Sequence, residues 1–309
     1  MKPPSPERRK APAASALDLI GNTPLVRISK LAARLNPEVR VFAKLERGNP
    51  GGSVKDRAAL RMIEDAEAAG LLTRDKVILD SSSGNTGIAY AMIGAVKGYR
   101  VKIVIPGNAS VERKKIMSGF GAELVFSSPF EGADGAIRLA KEIIKEHPDR
   151  YFLPDQYNNP SNPKAHELTT GPEIISALGK SVTHFIACVG TGGTIMGTGR
   201  ALRKFDPAIR VLSVHPDDAL HGIEGTKYLE DGAIVPGIFD KNFPDERLTA
   251  GTEAAFDMTK RLAREEGLFV GTSSGAALSA ALKVAEKLDR GTIIVMFPDG
   301  GERYLSREL

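Results

Sequence analysis

The sequence predicts an α/β protein with mostly parallel sheets, and three observations carry that reading. Eight short β-rich runs, most of them continuously apolar rather than alternating, lie at 41–45, 77–79, 101–105, 124–126, 185–189, 211–214, 268–270 and 293–297. Such runs fit strands covered on both faces. Between them lie stretches of helix-forming composition, at 55–69, 113–119, 135–146, 195–205, 253–266 and 276–288. Strand alternating with helix gives parallel strands joined by right-handed crossovers. Finally, one theme recurs at 77–89, 185–197 and 268–278: an apolar run, a loop of Gly, Ser and Thr, then a helix rich in small residues. Each copy places free N–H groups and hydroxyls at a helix N-terminus on the carboxyl edge of a sheet, where open α/β folds bind ligands and where an anion is favoured.

The elements follow in order. Residues 1–12 are Pro-rich and charged and read as a disordered tail. The run 41–45 is the first strong strand. Ser53 then offers an N-cap, and Asp56 three residues on completes a capping signal for a helix that ends at Gly70. The strands at 77, 101 and 124 alternate with helices up to about 146. PDQYNNPSNP, 154–163, carries three Pro and three Asn and reads as an irregular boundary. Strand and helix then alternate again to 297. The length of 309 residues fits about two domains.

Composition narrows the function. A content of 42% apolar and 26% charged residues supports a packed core. The single cysteine, Cys188, excludes a disulfide framework and a multi-cysteine metal site. The five histidines show no zinc spacing, so no metal is expected. Net charge is +4, of which the first ten residues carry +3, so bulk charge gives nucleic-acid binding little support. No run of 18 apolar residues predicts a membrane span, and the N-terminus lacks a secretory apolar core. A reduced cytoplasm is the expectation.

The loops carry the chemistry. Residues 189–194, VGTGGT, fail as a dinucleotide fingerprint because Ile195 takes the third glycine position. They fail as a P-loop because Thr198 and Gly199 replace Lys and Ser/Thr. A tight loop able to wrap one phosphate remains, beside the alternative of a packing turn. GTSSG, 271–275, matches a serine nucleophile elbow, but no histidine follows His221, so Ser273 lacks the downstream base of that fold. SSSGNTG, 81–87, offers hydroxyls and an amide to a carboxylate, though local turns would use the same residues. In NPGGSVKDR, 49–57, Lys55 falls in the first turn of a helix. The positive end of the dipole there disfavours its charge by roughly 0.3–1 kcal/mol. A neutral amine is the form that makes a Schiff base.

Together GNTPLVRI (21–28), NPGGSVKDR, SSSGNTGIA, VGTGGT, VGTSSGAA and PDGGERYLS (298–306) resemble the cysteine synthase/cystathionine β-synthase family, over roughly residues 16–306. The resemblance implies pyridoxal 5′-phosphate (PLP) enzymes of fold type II. That fold has two three-layer α/β domains with mostly parallel sheets and the cofactor in the cleft between them. The larger domain would be 13–47 plus 161–309, and the smaller, mobile substrate domain 48–160. Lys55 matches the lysine of the Schiff base. Asn85 matches the partner of the ring hydroxyl, and Gly190, Thr191, Gly192, Gly193 and Thr194 match the phosphate loop. Ser273 matches the hydroxyl facing the pyridine nitrogen. Ser82, Ser83, Asn85, Thr86 and Gln156 match the group that grips the substrate carboxylate. The activity implied is β-replacement, making L-cysteine from O-acetyl-L-serine and sulfide through a bound aminoacrylate. Cystathionine synthesis from serine and homocysteine is the alternative, and a serine hydrolase using Ser273 the alternative of another class. A homodimer and a serine acetyltransferase partner are also implied. Two positions depart from the family pattern: Ser82 stands where Thr is usual, and Glu224 where many sulfhydrylases have Gln. Between Val211 and Glu246 there is no arginine, so a phosphate ester lacks a clamp in that stretch and O-acetylserine is the expected donor over O-phosphoserine.

Overall fold

The computed structural model describes residues 12–306 apart from 83, 231, 232 and 234, and only the backbone of 132–134. Residues 1–11 of the expected tail and Ser83 therefore lie outside the described residues. In chain order the elements are β1 (Leu25–Arg27), β2 (Val39–Leu45), α1 (Lys55–Ala68), β3 (Val77–Ser81), α2 (Asn85–Lys97), β4 (Arg100–Pro106), α3 (Val111–Gly119), β5 (Glu123–Ser127), α4 (Gly132–Glu146), β6 (Tyr151–Phe152), α5 (Ser161–Leu168), α6 (Thr170–Leu178), β7 (His184–Cys188), α7 (Gly193–Phe205), β8 (Arg210–Pro216), β9 (Glu246–Ala250), α8 (Thr252–Arg261), α9 (Thr272–Ala285) and β10 (Gly291–Phe297).

The strands form two sheets. One has the order β1-β2-β10-β7-β8-β9 and the other β5-β4-β3-β6. Every pairing is parallel except that of β1 with β2. Both sheets are covered on both faces, which is why their strands read as unbroken apolar runs. Along β10, Ile293, Val295 and Phe297 pack toward α8 and α9, while Ile294 and Met296 pack toward α6 and α7. In the second sheet Ile78, Val101, Ile103 and Ile105 face α1 and α2, whereas Val77, Leu79 and Val104 face α4.

The structure departs from the sequence reading at four places. Residues 268–270 form no strand: Leu268 N–H bonds Leu262 O to close the turn after α8, leaving Val270 one bridge to Gly300. Strand β9, ERLTA, went unread because it is a half-exposed edge strand whose polar residues break the apolar run. Helix α5 begins inside the stretch taken as irregular. Its Pro163 sits in the first turn, where a missing N–H breaks no helical bond. The capping signal at α1 also forms differently. Ser53 Oγ accepts the Lys55 N–H at 3.2 Å, but Asp56 turns back to accept the Gly51 N–H at 2.6 Å.

Candidate active site

The loops at the carboxyl edges of the two sheets face one another across a cavity of about 590 Å³. Lys55, Ser82, Asn85, Thr86, Gln156, Gly190 and Thr191 all line it, beside Arg113, His221, Glu224 and Lys227. A narrower recess adjoins it, lined by Lys55, Asn85, Cys188, Gly190, Thr191, Gly192, Thr194, Ser273 and Asp299. With Ser83 set aside and Gly193 at the start of α7 immediately behind the loop, the fold thus gathers the sequence candidates in one place.

Lys55 is the first residue of α1, and the start of α1 is firmly held. Val54 N–H bonds Pro298 O, and Ser53 pairs with Asp299. One turn in, the Arg57 guanidinium bonds Glu46 through Nε at 2.7 Å and Glu173 through Nη1 at 2.6 Å. Among the described residues nothing accepts a hydrogen bond from Lys55 Nζ. Burial pushes the Lys55 pKa down, against the opposing pull of Asp299. The neutral amine inferred from the helix dipole therefore has a second source, desolvation.

Loop 190–194 is built for close approach. Gly192 holds φ +86°, and a Cβ there would lie 2.7 Å from Phe239. A Cβ on Gly190 would lie 2.3 Å from Gly225 O, and one on Gly193 would lie 1.9 Å from Asn162 Oδ1. Thr191 Oγ1 accepts from Asn162 Nδ2 at 3.2 Å and from the Gly193 N–H at 3.3 Å. Thr194 Oγ1 is 3.3 Å from His166 Nε2, and His166 Nδ1 is 2.9 Å from Thr170 Oγ1. Burial drives the His166 pKa down to about 3, so the ring is neutral and orients Thr194. The N-cap residue Gly192 has no capping side chain, and beyond the Gly193 N–H held by Thr191 the first-turn amides of α7 are left for an anion in the recess.

At the third loop, Ser273 is buried in the first turn of α9 and lines the recess. Its neighbours differ. Thr272 Oγ1 accepts the Glu224 N–H at 3.2 Å, and Ser274 is fully buried outside the recess lining. Histidine hydrogen bonds run to Thr170, Thr183, Thr194, Ser213 and Ile223 rather than to Ser273. Among the described residues Ser273 thus has no histidine base, which counts against the hydrolase alternative. Cys188 donates to Ser273 O at 3.3 Å, and burial pushes its thiol up to about 12.

In the second loop the expected carboxylate donors engage one another. Ser82 Oγ accepts from the Gly84 and Gly87 N–H groups at 3.3 and 2.9 Å, which starts α2. Thr86 donates to Gln156 Oε1 at 2.8 Å. Asn85 Nδ2 donates to Asp299 Oδ2 at 2.7 Å, and Asn85 Oδ1 accepts from Arg303. Tyr304 completes this set with a 2.6 Å bond to Asp299. Asp299, Arg303 and Tyr304 all lie in PDGGERYLS, a motif that carried the family likeness but no assigned role. Arg113 was also missed. It comes from α3, far in sequence from the 211–246 stretch searched for an arginine, and bonds Glu224 at 3.0 Å.

These residues fit PLP at three points: an amine without a partner at Lys55, an uncapped helix start with glycines where side chains would collide, and a buried hydroxyl at Ser273. The comparisons agree. Residues 16–299 match the family model described as "Pyridoxal-phosphate dependent enzyme". The chain is 50% identical over 298 residues to a cysteine synthase of Aquifex aeolicus, covering 95% of this chain and 91% of that protein. A crystal structure of cysteine synthase from Entamoeba histolytica superposes with a TM-score of 0.93 at 37% identity, covering 99% and 93% of the two chains. An O-acetylserine-dependent cystathionine β-synthase from Helicobacter pylori gives 0.90 at 36% identity, covering 97% and 99%. An O-ureido-L-serine synthase gives 0.89 at 39% identity, covering 96% and 94%.

Proposed function

Because this chain belongs to the pyridoxal-phosphate dependent enzyme family, as a β-replacement enzyme of cysteine synthase type, we propose that it makes L-cysteine from O-acetyl-L-serine and sulfide. The Cβ–O bond of the donor breaks and acetate leaves with the electron pair. The sulfur of HS⁻ bonds to Cβ, and the α-proton removed earlier returns to Cα.

The observation that carries this reading is the half-buried amine of Lys55, without a partner among the described residues, lining one recess with the start of α7, whose N-cap Gly192 has no side chain. PLP bound there supplies an electron sink for the Cα of the amino acid joined to it. The residues do the rest. First-turn amides of α7 with Thr191 and Thr194 would hold its phosphate, in a loop that Gly190, Gly192 and Gly193 keep free of side chains. Asn85 would serve its ring hydroxyl. The Ser273 hydroxyl would serve its pyridine nitrogen without adding a negative charge, which would make the bound ring a weak sink. That favours departure of a good β-leaving group over other reactions at Cα. Ser82, Asn85, Thr86 and Gln156 bind the donor carboxylate and aim its α-proton at Lys55 Nζ, a positioning effect; Thr86 and Gln156 release one another to do so. Ser83 belongs to the same proposed set. We also propose that residues 48–160 move as the unit that closes on the donor. The Helicobacter neighbour supports homocysteine as a second acceptor.

Purified protein should absorb in the visible and form cysteine from O-acetylserine and sulfide. Borohydride should fix the cofactor to Lys55, and Lys55→Ala should fold while losing both the adduct and more than 99% of turnover. An adduct on another lysine overturns the assignment; product with homocysteine alone moves the reading to cystathionine synthesis.

A further inference from the structure

The 590 Å³ cavity holds one ion pair at its mouth, and that pair joins the two sheet units. Arg113 comes from α3, which packs with the four-stranded sheet through Met117. Glu224 comes from the loop between β8 and β9 of the other sheet. Their 3.0 Å contact spans the opening.

The Arg113 guanidinium is set among three surfaces. Its Cζ lies 4.9 Å from the centre of the Tyr304 ring. A Cβ on Gly84 would lie only 3.3 Å from the same atom, so the guanidinium rests against the start of α2, beside the loop of Ser82, Asn85 and Thr86. Glu224 takes the third side. Arg113 is 3% exposed. Burial works against its charge, but Tyr304, Glu224 and Asp299 outweigh that and keep it a cation. The other titratable groups among the described lining residues are Lys55, Tyr157, His221 and Lys227. Lys227 lies 4.7 Å above the Tyr157 ring, and burial pushes the His221 pKa down. Glu224 is therefore the one carboxylate among the described lining residues, and it sits against Arg113, the one arginine among them.

Resting on the cysteine-forming reading, we propose that Glu224 selects the donor class by occupying Arg113: with the pair closed the cleft takes a serine whose β-substituent is an uncharged ester, and with Glu224 neutralised Arg113 becomes the receptor for a phosphate ester. The physical reason is charge balance. A phosphate monoester brings roughly −1.5 to −2 at pH 7. Beside Glu224 it meets like charge, and the guanidinium fork that would bind it is already in use. Without the Glu224 charge the same fork faces the substrate.

The test compares kcat/KM for O-phospho-L-serine and O-acetyl-L-serine with sulfide, in holoenzyme of the wild type, Glu224→Gln, Arg113→Gln and the double variant. Glu224→Gln should raise the phosphoserine-to-acetylserine ratio at least tenfold, through the KM for phosphoserine. Arg113→Gln alone should lower it at least threefold, and the double variant should return it to the wild-type value or below. An unchanged ratio in Glu224→Gln overturns the proposal, as does a double variant that keeps the gain. Inorganic phosphate serves as a second probe, since its binding by calorimetry needs no turnover. It should bind Glu224→Gln at least tenfold tighter than wild type, and equal binding overturns the proposal. If the wild type forms no cysteine from either donor, the functional reading fails while the phosphate arm still decides the role of Glu224. Should Glu224→Gln fail to fold, Arg113→Gln decides by itself, because a raised ratio there contradicts an arginine receptor.

Discussion

The base and the mouth of the cleft both join the two sheet units with ion pairs, and they are built differently. At the base, two cations and two anions interlock. Lys44 and Arg57 share Glu173 at 2.6 Å each, Arg57 also grips Glu46, and Thr23 donates to Glu46 at 2.6 Å. Lys44, Glu46 and Arg57 are all buried. Burial pushes the Glu173 carboxyl up, but Arg57 and Lys44 outweigh it and hold it down to about 2. At the mouth, Arg113 meets Glu224 at 3.0 Å in the cavity lining, and the Glu224 side chain keeps 20% exposure. Paired and hydrogen-bonded throughout, the base has one stable arrangement. A single pair facing water can open and reform. The difference teaches where the cleft is pinned, at the start of α1 that carries Lys55, and where it can yield.

The largest effect that would break this comparison is at Arg57. Arg57→Ala leaves the buried Glu46 without its ion-pair partner and Glu173 with Lys44 alone, and breaking a buried pair costs about 3–5 kcal/mol. Thermal melting should drop by roughly 10 °C. Arg57→Lys should recover only part of this, since one ammonium cannot reproduce the fork between two carboxylates. A loss below about 1 kcal/mol for Arg57→Ala would show that the base is no firmer than the mouth.

Much of this was legible in sequence, and the limits have physical causes. Strands built on apolar runs announce themselves, so β2, β3, β4, β5, β7, β8 and β10 were readable. Two-residue β6 and edge strand β9 were not, because β6 is too short and the polar residues of ERLTA break the run. Lys55, loop 190–194 and Ser273 stand beside glycines and small hydroxyl residues at helix starts, a pattern set by local backbone chemistry. Arg113 and Asp299 reach the site through tertiary contacts, Arg113 with Glu224 111 residues on and Asp299 with Asn85 214 residues back, and no local spacing marks them. The 211–246 stretch rightly lacks arginine, yet α3 delivers one to its edge from the other sheet.

A buried charge without a cation sharpens the comparison from a third side. Asp80, at the end of β3, accepts the Ser81 N–H at 2.7 Å, and no ion pair accompanies it among the described residues. Tyr90 on α2 and Asp155 after β6 are its titratable neighbours. Burial pushes its pKa up from 3.8 to about 7. With the folded value above the unfolded one, the folded state binds the extra proton between those limits. Stability should fall as pH rises from about 4 to about 7 and stay low above that. Asp80→Asn keeps the acceptor for Ser81 and removes the ionisation. Its melting temperature relative to wild type should climb between pH 5 and pH 8, by the equivalent of about 2 kcal/mol. A difference flat across that range would show that Asp80 is not the group responsible.

The smallest effect belongs to the mouth. Glu224→Gln removes half of an ion pair whose carboxylate is 20% exposed, and the guanidinium keeps its stack on the Tyr304 ring. The loss should be about 1 kcal/mol or less, the range of a partly exposed pair. Salt separates this from the base. Screening length falls to about 3 Å at 1 M, which weakens an exposed pair while leaving buried ones nearly intact. In 1 M NaCl the melting temperatures of wild type and Glu224→Gln should converge, whereas the deficit of Arg57→Ala should persist. If Glu224→Gln instead costs as much as Arg57→Ala and salt leaves its deficit unchanged, the mouth is as firmly locked as the base. Opening would then have to occur by a route other than parting Arg113 from Glu224.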